Sequence, residues 1–577
     1  MNRQEYIKKG LHILLIVLWM VLLSKAESYY CNYVLVGVIG IISILAKKEY
    51  SNAARSVLCE KMLPAVLALA VVIANYKLYS DMDNMLVCVV KFVAILVCGY
   101  ITFGSIMTFA VAKTAGLVWK KFDYAFKPVT VFGASAVGLT VVYSLVWFLG
   151  FYPGVLTPDS LNQMNQILTG AYTNHHPYYY TMLIKFFVDI GQAIFHNINT
   201  GVAMYSLFQI IAMASAFSYM IMTLYQMKLS WKWLVAVFIW FLLPYHIYYS
   251  FHMMKDCLFG AAVLVVITSM FRLINVLSEN RILDYVLLTT SGFVMCIFRS
   301  NGMLAFVIML AAFVLLYGKK HPKMLVLLLA LLICTYTLKH PVLEHLGVPQ
   351  PDTIESLSIP AQQIARVVVE GEELTDEQYE LLSQVIEVEK IAETYDPDLS
   401  DPIKNLVRAT GNQGYFGEHI PEFIKLYIEL GLKHLDHYIA AFIDQTVGYW
   451  NGGYDNYIWG YQILENDFGL SQTIFFEFIR KCFRAYARLF KTIPVLQPFV
   501  SIGLTSWILL GLGVISISQK RKNGFFIIPI LAIILTLLVA TPVAAEFRYA
   551  YASYTCLPFL VFAVLSNTKD MPNAIET

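Results

Sequence analysis

Long apolar stretches separated by short polar ones run through most of the chain. Four lie between about residues 10 and 110, seven between about 128 and 338, and three between about 496 and 566. Each is near the length that carries a helix across a hydrocarbon core, so the pattern predicts an all-α polytopic membrane protein with about 14 spans. Two regions break the pattern. Residues 150–177 form a polar segment, and residues 339–493 hold few apolar runs but several acidic, amphipathic ones, which predicts an extracytoplasmic, mainly helical domain. The chain thus divides into an N-terminal four-span membrane module (1–127), a transmembrane core (128–338) with its first outer loop at 151–200, the extracytoplasmic domain (339–493) and a C-terminal three-span segment (494–577).

Alternate connections are rich in Lys and Arg, and this sets an orientation. Lys8 and Lys9, Lys120 and Lys121, Lys319 and Lys320, and Lys520, Arg521 and Lys522 fall on one side, which places both termini in the cytoplasm. The alternation requires residues 178–195, with Lys185 and Asp189, to lie along the outer face as an interfacial helix; a crossing there would turn every later basic connection outward. Composition agrees, with 58% hydrophobic against 14% charged residues, and a net charge of +2 argues against a nucleic-acid partner. The nine cysteines lie mostly in apolar runs without C-x-x-C spacing and are expected to be small buried hydrophobes. The basic N-terminus and its apolar run lack a small-residue cleavage site and are expected to remain as the first span.

This topology gathers the unusual polar residues at outer ends of spans. In LTPDSLNQMNQ, Thr157 can cap a helix, Pro158 suits its first position and Asp159 falls in the first turn, on a face with Gln163 and Gln166. Spacing alone leaves Asp159 equally readable as a first-turn acid on a polar surface. His175 and His176 precede Pro177 and open the next helix, which suits a hydrogen-bonded turn as well as a ligand site. Lys255 and Asp256 sit between two spans with almost no loop; Asp256 can cap the following helix while Lys255 reaches the headgroups. Arg299 and Asn301 lie in an equally tight turn, where a cation beside lipid needs an anionic partner. Glu546 and Arg548 repeat the theme. Asp81 and Asp83 form a D-x-D that suits a solvated turn or a divalent cation.

The arrangement resembles the GT-C class of membrane glycosyltransferases, which includes protein O-mannosyltransferases and lipid A aminoarabinose transferases. The matching elements are FYPGVLTPDSLNQ, with Asp159, and NHHPYYYTMLIKFFVDIG. A closer resemblance is to a bacterial family of multi-pass proteins marked by PG-x4-DS-x2-Q, HHP, KD, RSNG, SIPAQQIARVV and E-x-RY-x-Y. These stand here at Pro153–Gln163, His175–Pro177, Lys255–Asp256, Arg299–Gly302, Ser358–Val368 and Glu546–Tyr551. No D-x-D follows the first-loop Asp, His-Pro replaces Pro-Pro, and the first four spans have no counterpart in the core of the class.

The resemblance implies a GT-C-like transmembrane helical core with an outer-face loop domain, in a bacterial plasma membrane. It implies transfer of a sugar from a polyprenyl-phosphate donor to a glycan, lipid or protein acceptor. Asp159 is then the catalytic base; Lys255, Arg299 and Arg548 bind the donor phosphate; Gln163, His175, His176, Asp256, Asn301 and Glu546 contact substrate. No metal ligand or firm cofactor follows, a divalent cation remaining open. The alternatives are a transporter or flippase of a lipid-linked or anionic substrate, and a surface-polysaccharide polymerase or ligase.

Overall fold

The computed structural model describes residues 3–26, 29–46, 58–80, 84–117, 119–277, 279–458 and 460–566. The described residues are 77% helical and contain isolated bridges but no strand. Among the described residues, eight helices are long and apolar enough to cross a membrane, with a ninth if Trp231–Trp240 and Pro244–Ser250, bent by 58°, are taken as one span. Three shorter apolar helices are Tyr30–Leu45, Ser300–Leu316 and Ile502–Ser518. The protein is therefore an all-α polytopic membrane protein. Asp81 and Asp83 lie outside the described residues.

Helix Lys255–Ile274 is the axis of the core, with nearly every residue buried. It packs against Ile198–Gln226, Arg281–Phe298 and Tyr551–Leu565. Its two ends differ from its apolar middle. Lys255 opens it, while Arg272 lies 17 residues later, which at 1.5 Å per residue is roughly 26 Å along the axis. Arg272 pairs there with buried Asp284 at 3.0 Å, and Tyr219 donates its hydroxyl to the same carboxylate at 2.7 Å. Charge on this helix is thus confined to its ends, where partners compensate desolvation.

Helices Arg3–Leu22, Tyr30–Leu45, Leu58–Ala74 and Met85–Ala115 pack around Trp19, Tyr33 and Phe103 and dock on Ile502–Ser518 through Trp507. Residues between 353 and 438 enclose a separate core that includes Ile391, Val407, Phe423 and Leu426. Helix Tyr178–Phe195 buries Tyr180, Ile184 and Val188 while Lys185 and Asp189 pair on its open face. Its backbone touches that of the next helix. A Cβ built on Gly191 would collide with the backbone of Gly201, so the helix is held tightly along the core.

Candidate functional site

The polar segment after helix Pro128–Gly150 is fastened to the core by its own backbone. The Pro153 carbonyl accepts from Trp147 Nε1 at 2.9 Å and from Ser206 Oγ at 2.7 Å. Val155 donates to Phe251 O at 3.2 Å and accepts from Met253 N at 3.1 Å, so the segment runs beside residues 251–253, just before Lys255. Gly154 makes this approach possible. Its φ is +156°, and an added Cβ would stand 2.6 Å from Ser206 Oγ. Gly154→Ala is therefore expected to cost about 1–3 kcal/mol through overpacking and backbone strain, read as a lowered midpoint of thermal unfolding in detergent. An unchanged midpoint would contradict this fit.

Helix Pro158–Thr169 starts as its residues dictate. Thr157 is the N-cap of a capping box with Ser160, and Pro158 occupies the first turn. Ser160 Oγ also donates to Met253 O at 2.5 Å, tying this helix start to the lead-in of Lys255. Asp159 consequently meets two cations from distant parts of the chain. Its Oδ2 lies 2.7 Å from Arg548 Nη1 and 3.7 Å from Lys255 Nζ. Lys255 reaches His176 Nδ1 at 3.4 Å; with the ammonium as donor, this imidazole accepts at Nδ1 and carries its proton on Nε2. Arg548 Nε in turn lies 3.4 Å from Glu546 Oε1.

A second layer stands behind the first. Arg299 forms an ion pair with buried Asp256, and its Nε donates to Asn301 Oδ1 at 3.0 Å. Asn301 Nδ2 donates to Thr536 Oγ1 at 3.2 Å. Arg299 and Arg548 each lie 4.9 Å from the ring centre of Tyr549, which thus separates two cations while attracting both. Asp159, His176, Lys255, Asp256, Arg299, Asn301, Glu546 and Arg548 therefore form one connected end of the bundle.

Two predicted residues are placed elsewhere. Gln163 donates to Thr181 Oγ1 at 2.9 Å and is committed to the neighbouring helix. His175 is exposed, with its ring against the edge of His176. Two aromatic residues escaped sequence reasoning. Tyr549 was visible within E-x-RY-x-Y, and His252, whose Nε2 lies 3.4 Å from Thr157 Oγ1, was visible only as a residue near Lys255.

Electrostatics sort these groups. Burial alone would raise Asp159, but Arg548 and then Lys255 outweigh it and hold the carboxyl well below the usual carboxylate range. Burial pushes Glu546 up to about 7, against the opposing pull of Arg548. Burial, helped by Lys255, lowers His176 to about 3, and burial with Arg548 lowers His252 to about 3; both are neutral near pH 7. With Glu546 protonated, three cations face the two carboxylates of Asp159 and Asp256, a balance that favours an added anion.

A cleft of about 710 Å³ opens beside Thr157 and Pro158, with Tyr457, Tyr461 and Arg484 among its walls. A smaller cavity of about 200 Å³ between residues 353 and 427 carries no charged side chain and is space within that segment's apolar core. Among the described residues, the His and Glu side chains close enough to share one ion are Glu372, His434 and His437, which do not belong to the Asp159 network.

A family model described as a family of unknown function, DUF6020, matches residues 167–575. The chain belongs to the DUF6020 family. No curated protein and no solved structure matches it. The DUF6020 match takes in Lys255, Arg299, Glu546 and Arg548, while Asp159 lies just before it. The network thus joins DUF6020 residues to a carboxylate on the helix where the match begins.

Proposed function

We propose that this protein is an inverting membrane glycosyltransferase of GT-C type, moving a sugar from a polyprenyl-phosphate donor to an acceptor at the outer face of a bacterial plasma membrane. In this reading the chain crosses about 14 times with both termini cytoplasmic, and helix Tyr178–Phe195 lies along the outer interface. The observation that carries it is the Asp159 carboxylate, 28% exposed, shared between Arg548 and Lys255 beside an open cleft.

Those contacts suggest how the chemistry is timed. A carboxylate held this far below its usual range is a poor base. A donor phosphate competes for Arg548 and Lys255, loosens both ion pairs and returns basicity to Asp159 only when the donor is in place. Asp159 then takes the proton from an acceptor hydroxyl as that oxygen attacks the anomeric carbon. The bond from that carbon to the phosphate oxygen breaks, its electron pair leaves with the polyprenyl phosphate, and the cations stabilise the charge that develops there. Arg299, tied to Asp256 and stacked on Tyr549, supports Arg548 from behind. Neutral His176 holds Lys255 in line.

Glu546 gives this scheme a pH signature. Its proton leaves near pH 7, and the carboxylate then draws Arg548 away from a phosphate. Turnover, measured as release of polyprenyl phosphate, is expected to fall as pH rises through about 7 in the wild type and to lose that inflection in Glu546→Gln. Stability follows the same sign. A carboxyl raised on folding contributes fully below its unfolded value near 4.5, and the contribution is lost as pH rises through about 7. An unchanged inflection in Glu546→Gln would remove Glu546 from this role. The transport reading draws on one feature, the 58° bend between Trp240 and Pro244, and predicts substrate flux across vesicles without bond cleavage.

A further inference from the structure

We infer that the cleft beside Thr157 and Pro158 is the acceptor subsite and that the acceptor is an anionic glycan bearing phosphate or carboxylate groups. The term acceptor rests on the transfer reading above; the anionic glycan is argued from the cleft itself.

Arg484, Arg488 and Lys491 follow one another at spacings of four and three on helix Glu477–Thr492, which places them on one helical face. All three line the cleft. Their charge is poorly matched by the protein. Lys491 lies 3.3 Å from Asp455, but among the described residues no carboxylate pairs with Arg484 or Arg488. The buried Arg484 Nε makes no hydrogen bond, and its guanidinium sits 4.9 Å from the Tyr461 ring centre. A guanidinium held on the wall of a cleft by an aromatic ring and lacking a carboxylate partner is placed to receive an oxyanion.

The lining points to a sugar rather than a polyprenyl tail. Pro158 and Leu464 are its only aliphatic side chains, whereas Tyr457, 60% exposed, offers a ring face to sugar C–H groups. The volume lies within the range of small-ligand clefts. The cleft is also coupled to the reacting end. Tyr457 N donates to Ala545 O and Phe547 N to Tyr457 O, both at 3.1 Å, so its wall is stitched to the residues flanking Glu546. Two cation sets therefore flank the start of the Asp159 helix. Lys255 and Arg548 face the carboxylate and serve the donor phosphate, which leaves Arg484, Arg488 and Lys491 for an anion on the other substrate.

The test is direct binding to the purified full chain in detergent, using trigalacturonate, a short poly(glycerol phosphate) oligomer, maltotriose and farnesyl phosphate as probes. At least one of the two acidic oligomers is expected to bind, with maltotriose at least about tenfold weaker. Which acidic oligomer binds tells a carboxylate-bearing acceptor from a phosphate-bearing one. The Arg484→Gln/Arg488→Gln variant is expected to lose at least about tenfold in that affinity, while Arg484→Lys/Arg488→Lys, which keeps the charge, retains most of it. Lys481→Gln, exposed and outside the cleft, should bind as the wild type does. Asp159→Asn should also keep binding, so occupation of the cleft is scored independently of transfer. The inference is overturned if maltotriose binds as well as the acidic oligomers, if the double Gln variant binds undiminished while keeping its thermal midpoint, or if farnesyl phosphate displaces the acidic oligomer. Acidic-glycan binding without turnover on any donor would instead count against the transferase reading alone.

Discussion

Asp159→Asn is expected to lower sugar transfer by roughly 10²–10⁴-fold, the contribution typical of a positioned general base, while donor binding is kept or tightened because the phosphate no longer competes with a carboxylate for Arg548 and Lys255. Asn keeps the size of the side chain and its place in the helix's first turn, so a folded protein is expected. What it loses is the capacity to accept a proton. The substitution also removes the negative charge that helps to raise Glu546, so the inflection near pH 7 should move to lower pH in any residual activity. Single-turnover rates with bound donor separate this outcome from a binding defect: a base mutant binds and stalls, whereas loss of a binding residue is rescued by more donor. Wild-type turnover in Asp159→Asn would remove Asp159 from the role.

Asp256→Ala is expected to cause the largest loss of stability, about 3–5 kcal/mol, because it leaves the Arg299 guanidinium without its buried counter-ion. Asp256 is almost wholly buried and Arg299 nearly so, and water cannot easily replace the lost partner. The same change at Asp189, whose pair with Lys185 is open to solvent, should cost less than about 1 kcal/mol. The double replacement Arg299→Met/Asp256→Leu separates structural from functional cost. It should regain much of the stability, since well-packed apolar groups often substitute for a buried ion pair, but not the activity, because Tyr549 and Arg548 lose the cation behind them. Thermal unfolding of the single and double variants, followed with transfer rates, checks both parts. Full activity in the double variant would show that Arg299 serves packing alone.

Much of the polar network is legible in the sequence, for physical reasons that differ by residue. Thr157, Pro158 and Asp159 announce a helix start through local chemistry, and the capping box follows from it. Charges inside apolar blocks are rare enough that Lys255, Asp256, Arg299, Glu546 and Arg548 stand out, and alternate basic connections suggest that they meet at one end. Their pairing is not local. Arg548 finds Asp159 across 389 positions, and Arg299 pairs with Asp256, since only packing decides which cation reaches which carboxylate. Gln163 shows the limit of spacing arguments. It falls one turn after Asp159, but its buried amide donates to Thr181 on the adjoining helix. Arg484, Arg488 and Lys491 carry no signal beyond a helical period within a stretch whose composition suits a solvated domain. Span counting is limited by the same ambiguity. A helix such as Ser300–Leu316 is apolar from Met303 onward yet only 17 residues long, and hydropathy alone does not separate a short span from a buried core helix.

The most direct test of the central claim is release of polyprenyl phosphate from a panel of polyprenyl-phosphate sugars by the purified protein in liposomes, with wild type and Asp159→Asn compared side by side. The account predicts release with at least one donor by the wild type, and almost none by the variant at equal donor occupancy. Release at equal rates from both, or substrate flux across the vesicle with no release from any donor, would contradict it.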